Sequence, residues 1–451
     1  MIRGRVFVKL VRAWKENIVR RYAAAACLAA LCAPAFAQTD FPTIFVANDG
    51  NLEGSVSSFS IAPDGTPVLI DKLVTGARGS LNEDEPGANV IAIDISPDGR
   101  YIATGHASGS ISGDFVSFIA VQPDGTMSLS QQYLMPETTF SVAWIDNDLL
   151  AVTQTIAFGT NELVVLRFEP DTLAVTEVDR IYCGTFATRV LRHPTQRTLY
   201  VNDSGSQNKL WSFSVDDAGQ LALKQSMSVS HYPLGIELDR TGQHLFAAGG
   251  ISSGGHAFSV FAIDAGGNLT LVPGSPFTSP GQSPKAFTVH PDNAMLFVEH
   301  GTDATIRSFA FDDQTGVPTS LGGSFDVGLQ GTLGGSDAWG DFLYVTDESP
   351  AIDGLRGLYC LAIDFTTGAL TPVTPTPVDT TGITPESVLI WDPGQSCRVD
   401  LTGDGVLDFF DVAAFLQLFS DADMAADFTG DGVLDFFDVA RFLQEFSDGC
   451  P

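Results

Sequence analysis

The sequence predicts an all-β seven-bladed β-propeller followed by a small C-terminal α-helical domain. Three observations predict it. Residues 38–395 repeat with a period of about 48 residues, within the range of propeller blades. Apolar and polar residues alternate through that region, and no stretch of it carries the 3.6-residue periodicity of a helix. The segment that follows repeats one acidic twelve-residue pattern twice, each copy leading into an amphipathic helical pattern.

The blade marker is a short apolar strand. It occurs at 44–46, 101–103, 149–151, 199–201, 245–247, 296–298 and 343–345. Seven markers mean seven blades. Ahead of most markers stands another strand ending in a polar turn, as in Ile93 to Gly99 and Phe287 to Asp292. After most markers comes a hairpin with period-2 alternation and a Gly-bearing turn, as in Leu210 to Gly219 and Phe258 to Gly267. Four strands per repeat without helix give a propeller. The first marker, at Ile44, has no strand before it. Residues 385–391 repeat the missing strand after the seventh blade. That strand is expected to complete blade 1, closing the ring and protecting its open edges.

The duplicated segment runs from Asp400 to Asp411 and returns from Asp427 to Asp438. Calcium takes six to eight oxygen ligands, supplied by loop positions 1, 3, 5, 7, 9 and 12. Those positions hold Asp400, Thr402, Asp404, the Val406 carbonyl, Asp408 and Asp411, and then Asp427, Thr429, Asp431, the Val433 carbonyl, Asp435 and Asp438. Gly405 and Gly432 stand at position 6, where the loop turns sharply. Two calcium ions are the expected cofactors. Val412, Phe415, Leu416 and Phe419 form one apolar stripe, and Val439, Phe442, Leu443 and Phe446 form the other. The two stripes are expected to bury each other.

The N-terminus reads as a secretory signal over residues 1–37. Basic residues crowd Arg3 to Arg21, an apolar run follows from Tyr22, and Ala35-Phe36-Ala37 supplies a cleavage pattern. The run is too short for the roughly 20 residues a membrane span needs, so no transmembrane anchor is expected. The expected location is secreted, periplasmic or cell-surface. A net charge of −31 repels nucleic acid and anionic membrane alike. Lys72, Lys209, Lys224 and Lys285 are the lysines beyond the signal, and such an acidic, lysine-poor chain suits a salt-rich habitat. Cys183 and Cys360 fall in apolar strands of separate blades and are expected to be separate buried thiols.

Tandem loop-plus-helix units with Asp at position 12 resemble a dockerin module, covering residues 396–451. Cys397 and the terminal Gly449-Cys450-Pro451 look like the disulfide-clasped variant of that family. Such a clasp closes a loop whose cross-link would contribute roughly 4 kcal/mol in the chain-entropy picture. The resemblance implies a cohesin-like or envelope protein partner. It places recognition at loop positions 10 and 11, here Phe409-Phe410 and Phe436-Phe437. Those rings either meet the partner or pack inside the domain.

The middle of the chain resembles the seven-bladed lactonase family, which includes 6-phosphogluconolactonase-like and carboxymuconate-cyclase-like proteins. The carriers are the turn from Ser96 to Ala103 and the Asp-x-x-Gly-x-Leu hairpins at Asp216 to Leu221 and Asp264 to Leu269. That resemblance implies binding at the channel mouth. The family's Pro-Arg-His entry to an inner strand is here Ser283-Pro284-Lys285-Ala286, without the His. Candidates near one rim are His106, Arg189, Lys285, Glu299, His300, Asp347 and Glu348. A lactonase needs a base to activate water and a cation to stabilise the oxyanion. Glu299 or His300 could serve as the first, Arg189 or Lys285 as the second. The His-Pro residues His193 and His290 read as turn-formers. Two functions follow. One is an assembly protein whose propeller binds a small molecule or glycan while the calcium module docks it. The other is a lactone hydrolase tethered by the same module.

Overall fold

A computed structural model describes residue 39 and residues 41–393, apart from 77–88, 108–113, 157–158, 206, 250–254, 292–294, 328–332 and 349–356. Beyond that it describes residues 399, 401, 407, 409–420, 426, 428, 434 and 436–448. Seven antiparallel sheets follow one another. From the channel outward, blade 2 runs Val90–Ile95, Tyr101–His106, Asp114–Val121 and Met127–Met135. Blades 3 to 7 begin at their inner strands Thr138–Trp144, Ala187–Arg192, Ile236–Leu238, Pro284–Val289 and Leu333–Trp339. Blade 1 holds Thr43–Asn48, Ser55–Ile61 and Pro67–Val74, and takes Pro385–Trp391 as its inner strand.

The seven apolar markers are the second strands of the blades, and their side chains are buried. The core lies between blades. Each neighbouring pair shares one apolar cluster, seven in all among the described residues. Between blades 2 and 3, for example, Phe118 stacks on Phe168 with ring centroids 4.5 Å apart, and Trp144 packs on both rings. The Gly-bearing hairpin turns serve these seams. Gly65 and Gly267 adopt left-handed φ of 86° and 72°, which glycine tolerates without strain. Their carbonyls accept the hydroxyls of Tyr344 (2.8 Å) and Tyr200 (3.1 Å) from the blade before.

Carboxylates also staple blade to blade. Asp94 accepts the Trp144 N–H at 2.6 Å, and Asp337 accepts the Ile390 N–H at 2.8 Å. Asp71 and Asp179 do the same for Met127 and Leu221 in the outer strands. Part of the acidic composition is therefore inside the ring rather than on its surface.

The C-terminal segment forms helices α1 (Phe409–Ser420) and α2 (Phe436–Asp448). Phe415 stacks on Phe442 with centroids 4.1 Å apart, and Phe428 packs edge-on against both. The stripes are narrower than expected. Leu416 and Leu443 are 54% and 50% exposed, because a two-helix contact covers only one line of side chains per helix. Phe409, Phe410 and Phe436 are exposed as well, so these three rings do not pack inside the domain. Cys183 and Cys360 are separate, buried thiols. The Cys397 and Cys450 pair, the signal segment and the Phe437 side chain lie outside the described residues. Among the described residues no helix is long and apolar enough to cross a membrane.

Candidate functional site

The inner strands line a central cavity of about 640 Å³. They run in parallel, so their first residues gather at one mouth. Hydrogen bonds between neighbours fix this: the Ser387 hydroxyl donates to the Ile91 carbonyl at 2.8 Å, and Lys285 Nζ donates to the Leu333 carbonyl. Six of the seven inner strands carry a β-bulge near that start. The bulged residues are Ile91, Phe140, Thr188-Arg189, Lys285, Gly334-Gly335 and Glu386. A bulge inserts a residue without a partner and re-aims the local side chains. The pleat therefore breaks where the chain turns into the channel, and charged residues can stand there beside apolar ones.

Two networks result. In the first, Lys285 Nζ lies 3.2 Å from Glu348 Oε1 as well as on the Leu333 carbonyl. Burial pushes the Lys285 pKa down, but Glu386, Glu348 and Glu299 outweigh it and the ammonium is held more firmly than usual. Burial, and then the neighbouring Glu386, push Glu348 far above the ordinary glutamate range.

The second network faces the cavity. Glu299 pairs in register with Ala286 and lines the cavity with Arg189. Ser336 Oγ donates to Glu299 Oε1 at 2.5 Å, while Glu299 Oε2 is buried without a hydrogen-bond partner. Burial raises the Glu299 pKa, against the lowering influence of Ser336, Lys285 and Arg189. The Arg189 backbone N–H donates to Asn202 at 2.7 Å. Its guanidinium makes no hydrogen bond or ion pair among the described residues, although its field reaches both Glu299 and Glu237. Deeper in the channel, burial pushes Asp94 up to about 6 and Glu237 up to about 7.

The structure sorts the candidates from the sequence. It brings Arg189 and Glu299 to one cavity. Lys285 and Glu348 belong to the adjoining ion-pair network, where a backbone carbonyl and carboxylates already engage the ammonium. His300 follows Glu299 on its strand, so its side chain takes the opposite face. Its Nδ1 meets the Thr305 carbonyl at 3.0 Å and its Nε2 the Ser279 hydroxyl at 2.8 Å. Burial pushes its pKa down to about 4, and it does not line the cavity. His106 is likewise enclosed, by Asn89, Ser117 and Thr104. Asp347 is buried at the end of its strand. His193 accepts the N–H groups of Thr195 and Gln196, as a turn-former does. His290 meets the Gly340 carbonyl at 2.7 Å.

Sequence reasoning passed over Asp94, Glu237, Ser336 and Asp337. Asp94 and Glu237 each stand singly in an apolar strand, and that lone charge was the signal; Ser336 and Asp337 are neighbours in the Gly-rich strand Leu333–Trp339, which carries no such signal. Of the residues expected to ligate calcium, Asp411 and Asp438 are described. Both are buried in the first turn of α1 and α2. Asp400, Thr402, Asp404, Val406, Asp408, Asp427, Thr429, Asp431, Val433 and Asp435 lie outside the described residues.

Comparisons with solved structures support the propeller. A Bacteroides fragilis protein described as a candidate 6-phosphogluconolactonase superposes with a TM-score of 0.62 at 16% identity, covering 78% of this chain and 98% of that one. A periplasmic gluconolactonase of Pseudomonas aeruginosa gives 0.58 at 16% identity, covering 78% and 99%. A Sulfolobus tokodaii protein described as a hypothetical selenium-binding protein gives 0.56 at 10% identity, covering 78% and 94%. At such identities the likeness is one of fold. No curated protein matches the sequence. The profile of the family described as "Lactonase, 7-bladed beta-propeller" matches residues 150–267, so the chain is similar to that family across blades 3 to 5, a stretch that contains Arg189 and ends before Glu299.

Proposed function

We propose that the propeller hydrolyses lactones in its central channel, with Glu299 as general base and Arg189 as the cation for the oxyanion. One observation carries the reading: Glu299 and Arg189 line the same cavity, and among the described residues one Glu299 carboxylate oxygen is buried without a partner and the Arg189 guanidinium makes no hydrogen bond or ion pair. Glu299 takes a proton from water as the water oxygen bonds to the lactone carbonyl carbon. Arg189 receives the negative charge that develops on the carbonyl oxygen. The ring C–O bond then breaks, and the departing ring oxygen takes the proton back from Glu299, giving a hydroxy acid. Ser336 holds the carboxylate in place through Oε1 and leaves Oε2 for the water. The similarity to the lactonase family and the shared fold with a gluconolactonase support this over a purely binding role.

The test is turnover of a panel of sugar and muconate-type lactones, followed by pH-stat titration. Arg189→Ala is expected to lower kcat/KM by about 10²- to 10³-fold, as loss of an oxyanion donor does, with the far-UV spectrum unchanged. A panel left untouched by the wild-type protein would sink the proposal.

The calcium reading is a second part of the proposal. Asp411 and Asp438 are carboxylate side chains fully buried at two helix starts, where an anion needs a cation or several donors. They would close the two loops as bidentate oxygen ligands and draw each loop onto its helix. Calorimetric titration is expected to show two calcium sites, with Asp411→Ala and Asp438→Ala each removing one. Absence of binding heat in the wild-type chain rejects it. Docking through residues 396–451 to a cohesin-like or envelope partner belongs to the same proposal, and the exposed rings of Phe409, Phe410 and Phe436 offer it an apolar surface.

A further inference from the structure

The residues near the starts of the inner strands differ in character around the channel mouth. Blades 6, 7 and 1 contribute charge there, with Lys285, Glu348 and Glu386. On the far side of the ring, blades 3 and 4 contribute aromatic rings. Phe140 is the bulged residue of blade 3, and Phe186 immediately precedes the inner strand of blade 4. Both are half-buried, and they meet edge to face with centroids 5.8 Å apart. Phe186 lies three residues before Arg189, so the aromatic pair leads into the wall that carries its guanidinium. Glu299, across the cavity, presents the buried oxygen that lacks a donor.

We infer that Phe140 and Phe186 form a subsite for an apolar ring or alkyl substituent, so that the site takes aryl- or alkyl-substituted lactones ahead of polyhydroxylated sugar lactones. The inference rests on the hydrolase reading for turnover, though not for binding. A sugar presents hydroxyls on every side and would leave them facing two rings. A substituted lactone puts its carbonyl at Arg189, its attacking water at Glu299 and its ring on the Phe pair. Edge-paired rings offer a third aromatic the edge or face contact that such groups prefer. The rings are not part of the cavity lining itself, which begins beside them at Ser141 and Arg189, so the pair would hold a substituent at the mouth while the lactone enters a cavity of a size that encloses a small organic ligand.

The experiment compares γ-phenyl-γ-butyrolactone with glucono-δ-lactone on the full chain. Calorimetry in parallel measures binding of the ring-opened acid, 4-hydroxy-4-phenylbutyrate, which needs no turnover. The phenyl lactone is expected to show kcat/KM at least tenfold higher. In Phe140→Ala/Phe186→Ala the ratio of the two kcat/KM values is expected to fall about tenfold, through KM, and affinity for the phenyl acid to fall with it. Phe140→Leu/Phe186→Leu, which keeps the volume, is expected to lose part of the same ratio and guards against a folding defect. Preference for the sugar lactone, or an unchanged ratio in both variants, overturns the subsite. If neither lactone turns over, phenyl-acid binding that the Phe variants weaken sustains the subsite while the hydrolase reading fails. Absence of binding under those conditions overturns the subsite as well.

Discussion

Glu299→Gln lowers lactone turnover by about 10²- to 10⁴-fold, the usual contribution of a positioned base, while leaving the propeller folded. Glutamine keeps an oxygen for the Ser336 hydroxyl and changes only the other carboxylate oxygen, the one without a partner among the described residues. It cannot take a proton from water. The pH dependence makes the assignment specific. Burial raises the Glu299 pKa, so the inactive protonated form persists into a higher pH range than for an ordinary glutamate. Activity should be low in acid and rise as pH passes through that raised value. The rise should vanish in the glutamine variant. A rise that survives belongs to another channel carboxyl, with Glu237, pushed up to about 7 by its own burial, the first to suspect. That result would reject Glu299 as the base.

A chain ending at Thr384 is expected not to fold, whereas one ending at Pro393 keeps its ring. The strand Pro385–Trp391 pairs with Thr43–Asn48 along its length. Its Ile390 N–H satisfies Asp337 of blade 7, and its Ser387 hydroxyl satisfies the Ile91 carbonyl of blade 2. The Trp391 ring lies over Gly99, where any side chain would collide with it. Removing the strand strips the inner edge from blade 1 and bares apolar surface on both neighbours. With Val388, Leu389, Ile390 and Trp391 each part-buried, the loss is about 4 kcal/mol or more at ~1 kcal/mol or above per side chain, a large fraction of the whole stability of a typical domain. Far-UV spectra and thermal melts of the two truncations check it. Cooperative melting of the shorter chain near the temperature of the longer one would contradict it.

What the sequence disclosed follows from how each feature is encoded. The second strands are buried on both faces, and that leaves a contiguous apolar signature at Ile44, Tyr101, Leu149 and their successors. The Gly-bearing turns are legible because a left-handed φ restricts residue choice. The bulges at Phe140, Lys285 and Glu386 are not legible, since one extra residue in a strand reverses the alternation without changing composition. Glu299 and His300 looked equivalent in sequence for that reason. Only the register assigns one to the channel and the other to the seam. The helix stripes were read too broadly at Leu416 and Leu443 because periodicity names a face and not the area a partner covers.

The closing strand also sets an order of events during synthesis. The Thr380 hydroxyl reaches an Asn48 side chain 332 residues earlier. At ribosomal rates of about 5 to 20 residues per second, the first three strands of blade 1 wait on the order of 20 to 60 s for the fourth. Blades 2 to 7 each draw all their strands from one continuous stretch and can assemble as they emerge. Thr43–Asn48, buried throughout in the finished ring, pairs early with Ser55–Ile61 but must keep its inner edge open longest. The nascent chain is therefore most vulnerable to wrong pairing at its beginning, and that vulnerability ends only when nearly the whole propeller has been made.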